Sequence, residues 1–263
     1  MGNNYSGAKL QNLKKVLLYF VLPLIIPVTF LLFTLSRYGV SVPYGDEWSM
    51  VPIFQKIDSG GSPLGLLWQP WNEHRVFFPR LLLTTTAYMT HWHIAVEVLL
   101  SVCFGIIAAA FLYLIIQRSI KRSLLAFLTM LIGSFWLFSP VQSENWLWGW
   151  CVEWFMCVAF VMAMIFFINR LKDRLHVNLT GAIVASILAT FSLGGAFVIW
   201  PVGLFMLIAK KQKTRTMIIW CGAALLSIAT YYYKYQPTNG KSGFSFSFVQ
   251  QPVNTVSYYL ALF

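Results

Sequence analysis

Charge is scarce in this sequence: Asp, Glu, Lys and Arg make up 10% of its 263 residues, against about 25% in an ordinary soluble domain. Water is therefore excluded as the main solvent. Acidic side chains are scarcer still, eight against nineteen Lys and Arg. The four cysteines, Cys103, Cys151, Cys157 and Cys221, lie within or at the edges of apolar stretches and form no CxxC pair. That excludes the spacing of a cysteine metal site and leaves buried free thiols as the plain reading. Internal repeats and low-complexity linkers are also missing. What remains is 58% hydrophobic and 17% aromatic, with a mean hydropathy of +0.68.

The apolar residues come in blocks, at 16–35, 94–116, 124–138, 152–168, 177–193, 196–209 and 217–233. The first carries no charge and as a helix would rise about 30 Å, enough to cross a bilayer. It exceeds a signal-peptide core and no small-residue cleavage site follows, so it reads as a retained anchor. Several later blocks fall short of the roughly 20 residues a lone span needs. The break between residues 193 and 196 reads as a tight hairpin or broken helix buried among its neighbours. The expected fold class is thus all-α: a polytopic transmembrane helical protein with about seven spans plus the start of an eighth, a single domain over residues 1–263. The opening of another span at 257–263 stops short, so a truncated product or fragment is expected. Met1-Gly2 with Ser6 fits a loose myristoylation pattern, which a chain already holding several spans has little use for.

A net charge of +11 invites a nucleic-acid reading, but the basic residues sit between apolar blocks rather than along one face. No nucleic-acid partner is expected. They test topology instead, because cytoplasmic loops hold the Lys and Arg excess. Lys9, Lys14 and Lys15, then Arg118, Lys121 and Arg122, then Arg170, Lys172 and Arg174, then Lys210, Lys211, Lys213 and Arg215 occupy every second connection. Asp46, Glu47, Asp58, Glu73 and Glu144 fall in the others, while Asp173 falls with the basic set. This places the N-terminus in the cytoplasm of an integral membrane protein and the alternate connections outside.

One outward connection, residues 36–93, is far longer than a joining loop requires. Ser49 is placed to cap a helix that tolerates Pro52 in its first turn and ends at Gly60-Gly61, with Trp48, Val51, Phe54 and Ile57 at three-residue spacing. A second apolar stretch over 76–89, containing Pro79, predicts another juxtamembrane helix, with Trp68, Trp71 and Trp92 as interfacial anchors.

That loop opens with Tyr44-Gly45-Asp46-Glu47-Trp48. Adjacent carboxylates at a membrane surface can serve as a general base or as ligands for a divalent metal ion; equally, Asp46 can cap a helix and leave Glu47 solvated. Glu73, His74, Arg75 and Arg80 follow on the same side. Arg75 and Arg80 can hold a phosphate through charge-assisted hydrogen bonds, or else meet lipid headgroups or pair with Asp58 and Glu73. Lys234 and Lys241 are lesser candidates of the same kind. Glu97 and Glu153 open two apolar blocks, where acids mark a site or find a cation. The polar, Trp-rich segment 142–150, with Glu144 and Trp148, can stack against a sugar ring or form part of an aromatic belt. Gly240-Lys241-Ser242 lacks the earlier glycine of a phosphate loop, His91 and His93 lack a third metal ligand, and the Asn178 glycosylation pattern falls on the cytoplasmic side.

At Gly45-Asp46-Glu47, then Asn72-Glu73-His74-Arg75 and Phe78-Pro79-Arg80, the chain resembles bacterial members of the GT-C superfamily of membrane glycosyltransferases. In that superfamily the first outward loop carries an acidic motif, often Asp-Glu, followed by two juxtamembrane helices. The resemblance implies an inverting transfer from a polyprenyl-phosphate-linked sugar donor to a glycan or lipid acceptor at the outer face of a bacterial inner membrane. Asp46 would be the base and Glu47 its neighbour. Glu73, His74, Arg75, Arg80, Glu144 and Trp148 would contact substrate, with a divalent metal ion as an optional cofactor and membrane lipids as surroundings. The chain is shorter than that family's members. Two rivals stay open: a transporter or flippase of lipid-linked saccharide coupled through Glu97 and Glu153, and a non-catalytic membrane subunit.

Overall fold

In the computed structural model, residues 13–72 and 74–236 are described, and all their regular secondary structure is helical apart from one isolated bridge between Trp71 and His74. Glu73, Lys9, Lys241, the myristoylation pattern, the phosphate-loop pattern and the expected eighth span lie outside these residues.

Helices form over all seven apolar blocks. We number them in chain order with the shorter ones between: α1 (Leu13–Tyr38), α2 (Val51–Asp58), α3 (Leu64–Trp68), α4 (Phe77–Thr90), α5 (Ile94–Ser119), α6 (Ser123–Leu137), α7 (Ser143–Leu147), α8 (Val152–Asn169), α9 (Leu175–Thr190), α10 (Ile199–Ala209) and α11 (Thr214–Tyr232). Among the described residues, four helical runs are long and apolar enough to cross a membrane: α1, α5, the run Ser123–Leu147 that joins α6 to α7, and Gly149–Asn169, which contains α8. The protein is thus a helical membrane protein by composition and build. Leu175–Thr190 and Gly194–Ala209 are apolar but shorter. The break expected near residue 193 is present: α9 ends at Thr190, a tight 3-10 turn runs Gly194–Val198, and α10 follows directly.

α8 is the most enclosed of the four long runs, held between α5 and α9. Small residues allow that approach: Ala159 and Ala163 on α8, Ala182, Ala185 and Ala189 on α9, and Ala108 and Ala109 on α5 are buried. In lipid, where apolar surface gains little from helix association, close backbone packing supplies the attraction instead. Two hydroxyls inside this core bond back to their own helix, Ser186 to the Ala182 carbonyl and Thr190 to that of Ser186, both at 2.8 Å, which satisfies them without a partner helix. Two indoles then lace α9, α10 and α11 together. Trp200 donates to Thr190 Oγ1 at 3.0 Å and Trp220 to the Trp200 carbonyl at 2.9 Å.

The two ends of the bundle differ in charge. At one, Asp173 bridges Arg118 at 2.9 Å and Arg170 at 3.2 Å, and Lys172 lies by Lys210. These exposed pairs contribute little stability, but they bring three of the basic connections to one end. At the other end, residues 39–93 fold over the tips of α5, α8, α9 and α11. Trp148 Nε1 donates to the Tyr44 carbonyl at 2.9 Å, the Phe78 N–H reaches the Phe191 carbonyl, and the Arg75 N–H reaches Tyr231 Oη at 2.8 Å.

Two local expectations in this cap are corrected. Ser49 caps nothing, because a 3-10 turn over Gly45–Met50 precedes α2 and Met50 occupies the cap position. Of the face expected for α2, Phe54 and Ile57 do pack against the buried core. Met50 and Ile53 are the buried pair, while Trp48 is exposed and meets Trp92 edge to face at 5.9 Å. Pro52 does fall in the first turn of α2, as expected.

Candidate functional site

The Gly45–Met50 turn sets the site because side chains three residues apart eclipse in a 3-10 helix. Asp46, Ser49 and Pro52 therefore share one face, and Tyr44, Glu47 and Met50 another. Gly45 starts the turn at φ +55°, with the Trp148 ring where a Cβ would point. Only glycine meets both demands at low cost.

The acid pair is split by this geometry. Glu47 is 1% exposed, and its carboxylate accepts the N–H groups of Tyr44 at 2.8 Å and Trp150 at 3.1 Å. Burial raises its pKa above the ordinary value, and the N–H groups of Tyr44, Trp150 and Gly149 oppose that rise. Glu47 thus fastens the cap to the turn before α8, and both its oxygens are committed. Asp46 is only half buried, near enough to Arg80 and Glu153 for their charges to interact. The helix-cap reading of Asp46 with a solvated Glu47 is therefore reversed.

Arg80, on the first turn of α4, is 4% exposed. It donates through Nη1 to the carbonyls of Leu66 at 3.2 Å and Gln69 at 3.1 Å, and its guanidinium lies 5.5 Å from the Trp71 ring centre and 5.9 Å from that of Trp150. Burial pushes its pKa down to about 10, against the pull of Glu153 and Asp46, so it is a cation at physiological pH. Arg75 has a different place. Its guanidinium donates to the carbonyls of Tyr231, Trp68 and Tyr233 and lies over the Trp68 ring at 4.8 Å. It fastens the end of α11 to the cap, and burial lowers its pKa too. Neither arginine pairs with Asp58, which accepts the Tyr88 hydroxyl at 2.7 Å.

Between these groups opens a cavity of about 870 Å³, lined by Ser49, Trp71, Arg75, Arg80 and Lys234 among others. Three of its polar atoms, Ser49 Oγ, Trp71 Nε1 and Arg80 Nε, are buried without a protein partner. Indole and guanidinium can only donate, and the serine hydroxyl can donate. These donors sit on residues that line one space together with Lys234 and with Arg75, whose guanidinium is committed to main-chain carbonyls, a setting that suits an oxygen-rich anion. No carboxylate lines it among the described residues.

The other expected residues scatter around this centre. His74 packs against Gly194 at the α9–α10 break, with its Nδ1 unpartnered. Trp148 and Glu144 line a separate space of about 510 Å³ beside Tyr44. Glu97 and Glu153 both lie in the first turns of their helices, under the cap. Of the Trp-rich turn, Trp146 is fully buried against Phe155 at 3.8 Å and Trp150 is buried near Arg80, so both belong to the core. Ser49 and Trp71 were legible only as a cap and an anchor; the signal for them was the three-residue spacing from Asp46 to Ser49 and the arginine nine residues beyond Trp71.

No three His, Cys, Asp or Glu side chains come together as metal ligands among the described residues, and the cations that line the cavity are Arg75, Arg80 and Lys234. No family model matches the chain, and no curated protein or solved structure matches it.

Proposed function

We propose that this protein is a membrane glycosyltransferase of the GT-C type, moving a sugar from a polyprenyl-phosphate donor to a hydroxyl of a glycan or lipid acceptor. The observation that carries this reading is that three residues with unpartnered buried donors, Ser49, Trp71 and Arg80, line one cavity with Lys234, and that Asp46 is near enough to Arg80 for their charges to interact. A phosphate ester supplies the oxygens those donors lack, and the aromatic walls suit a sugar ring.

In the proposed reaction Asp46 accepts the proton of the acceptor hydroxyl as its oxygen attacks the anomeric carbon. The bond from that carbon to the phosphate oxygen breaks, and the phosphate leaves with the electron pair. Arg80 offsets the charge that develops on it. Glu153 lies near both Arg80 and Asp46 under the cap. One displacement inverts the anomeric centre and needs one base, not the two flanking carboxylates of a glycoside hydrolase. The seven helical blocks would all be embedded, with the N-terminus cytoplasmic and the cap on the outer face of a bacterial inner membrane, in keeping with the basic end opposite the site.

The position of the intramembrane acids favours surface chemistry over transport. Within the four long apolar runs the Asp and Glu residues are Glu97, Glu144 and Glu153, and all three lie at the cap end. A coupling path would need ionisable groups at depth. The test is transfer from a radiolabelled polyprenyl-phosphate sugar in proteoliposomes. Asp46→Asn is expected to lose at least 10²-fold in turnover, in the range of a general base, with insertion and unfolding temperature unchanged; full turnover by the variant rejects Asp46 as base.

A further inference from the structure

The 3-10 turn that carries Asp46 divides two cavities of opposite character. The first, on the Ser49 side, is lined by cations and by no carboxylate among the described residues. The second, about 510 Å³, lies on the Tyr44–Glu47 face, between the end of α1, the segment that follows it, and α7. Its acidic lining is Glu47 and Glu144, and no Lys, Arg or His among the described residues lines it. Glu47 is committed to backbone N–H groups, which leaves the exposed Glu144 carboxylate as the charge this space offers a ligand. The rest is aromatic and aliphatic: Tyr38, Tyr44 and Trp148 with Val40, Val42 and Leu147. Tyr44 and Trp148 meet edge to face at 5.7 Å, rather than stacked on each other.

A carboxylate beside aromatic rings attracts a cation, through charge and through the negative faces of the rings. Apolar walls continuous with the end of a membrane-crossing helix accept a hydrocarbon body. Resting on the transferase reading for its role, we propose that this second cavity takes an ammonium-bearing amphiphile as the acceptor, held at Glu144. The segregation has a physical purpose. An anionic acceptor would be drawn to the cationic cavity and compete with the donor, whereas an ammonium head is repelled there and held at Glu144.

The test uses two photoreactive probes of equal chain length, one an alkylammonium and one an alkyl phosphate, with the full-length protein in nanodiscs of zwitterionic lipid. The ammonium probe is expected to label residues 38–44 and 144–148. That labelling should fall about tenfold in Glu144→Gln and vanish in Glu144→Lys, while Arg80→Gln leaves it unchanged and reduces only labelling by the phosphate probe. Equal labelling of this cavity by both probes, or labelling indifferent to Glu144, overturns the proposal. Thermal unfolding of each variant separates loss of binding from loss of fold. Transfer activity keeps the two readings apart. Should Asp46→Asn abolish transfer while Glu144 proves irrelevant to labelling, the acceptor assignment alone fails. Should Asp46→Asn transfer normally while the ammonium probe behaves as expected, the cavity is an ammonium site and the transferase reading fails.

Discussion

Arg75 offers the sharpest test of the physical reasoning, because a basic residue near a membrane surface invites a ligand-binding role that its geometry argues against. The side chain is 1% exposed, and its guanidinium donates to three main-chain carbonyls, two of them at the end of α11. Hydrogen bonds to a charged group contribute about 1.5–3 kcal/mol each, and they do not add in full. Removing the group also strands carbonyls that have no other partner at the close of a helix. We expect Arg75→Ala to destabilise the protein by about 3–5 kcal/mol, the range for breaking a buried charged network. Arg75→Lys keeps the charge but not the fork that reaches three acceptors at once, so it should recover less than half of that loss. Tyr231→Phe removes the acceptor of the Arg75 N–H and should cost about 1 kcal/mol. Unfolding followed by tryptophan fluorescence in nanodiscs at matched lipid composition measures all three. If Arg75→Ala unfolds with the wild type yet loses affinity for a phosphate ligand, Arg75 is a ligand contact and the clasp is refuted.

Arg80→Gln is expected to weaken binding of an alkyl phosphate by about 1.5–3 kcal/mol, one charged hydrogen bond, with a smaller effect on stability than Arg75→Ala; binding titrations check the first half and unfolding the second. In Gly149→Ala the added Cβ would lie 2.7 Å from Glu97 Oε2 and 2.8 Å from Glu47 Oε1, so overpacking should cost about 1–3 kcal/mol, and an unfolding curve identical to wild type would show that the two carboxylates part freely. The raised pKa of Glu47 means that the folded state holds this proton more tightly than the unfolded chain. Stability should therefore fall as pH rises from the unfolded value of 4.5 through the raised folded one, then level off; Glu47→Gln should flatten that part of the profile, and an unchanged slope would assign it to another group.

Helix positions were readable wherever apolar runs are long, since a bilayer admits few other structures for them. Alternating basic clusters were legible for the same reason, and Arg118, Asp173 and Lys210 do gather at one end. The cap was legible only in outline. Adjacent acids look equivalent in a sequence, and it is the three-residue pitch of a short turn that buries Glu47 and leaves Asp46 near Arg80. A serine before a proline reads as a helix cap until that turn displaces it. Arg75 finds two of its three acceptors 156 and 158 residues away, a distance over which local pattern carries no information. The Trp-rich turn looked like a surface for sugars, yet Trp146 and Trp150 fill the space beneath the cap, where the bulk of an indole is what the packing uses.

The clasp between residue 75 and the end of α11 also orders events during biogenesis. A ribosome delivers the cap early and α11 late, so for most of synthesis the cap has no distal anchor and the cationic cavity lacks the wall that Lys234 and Tyr235 provide. Nascent chains released before Tyr231 would insert in the bilayer without a finished binding chamber. The enclosure is thus completed only by residues that follow α11, late in the chain.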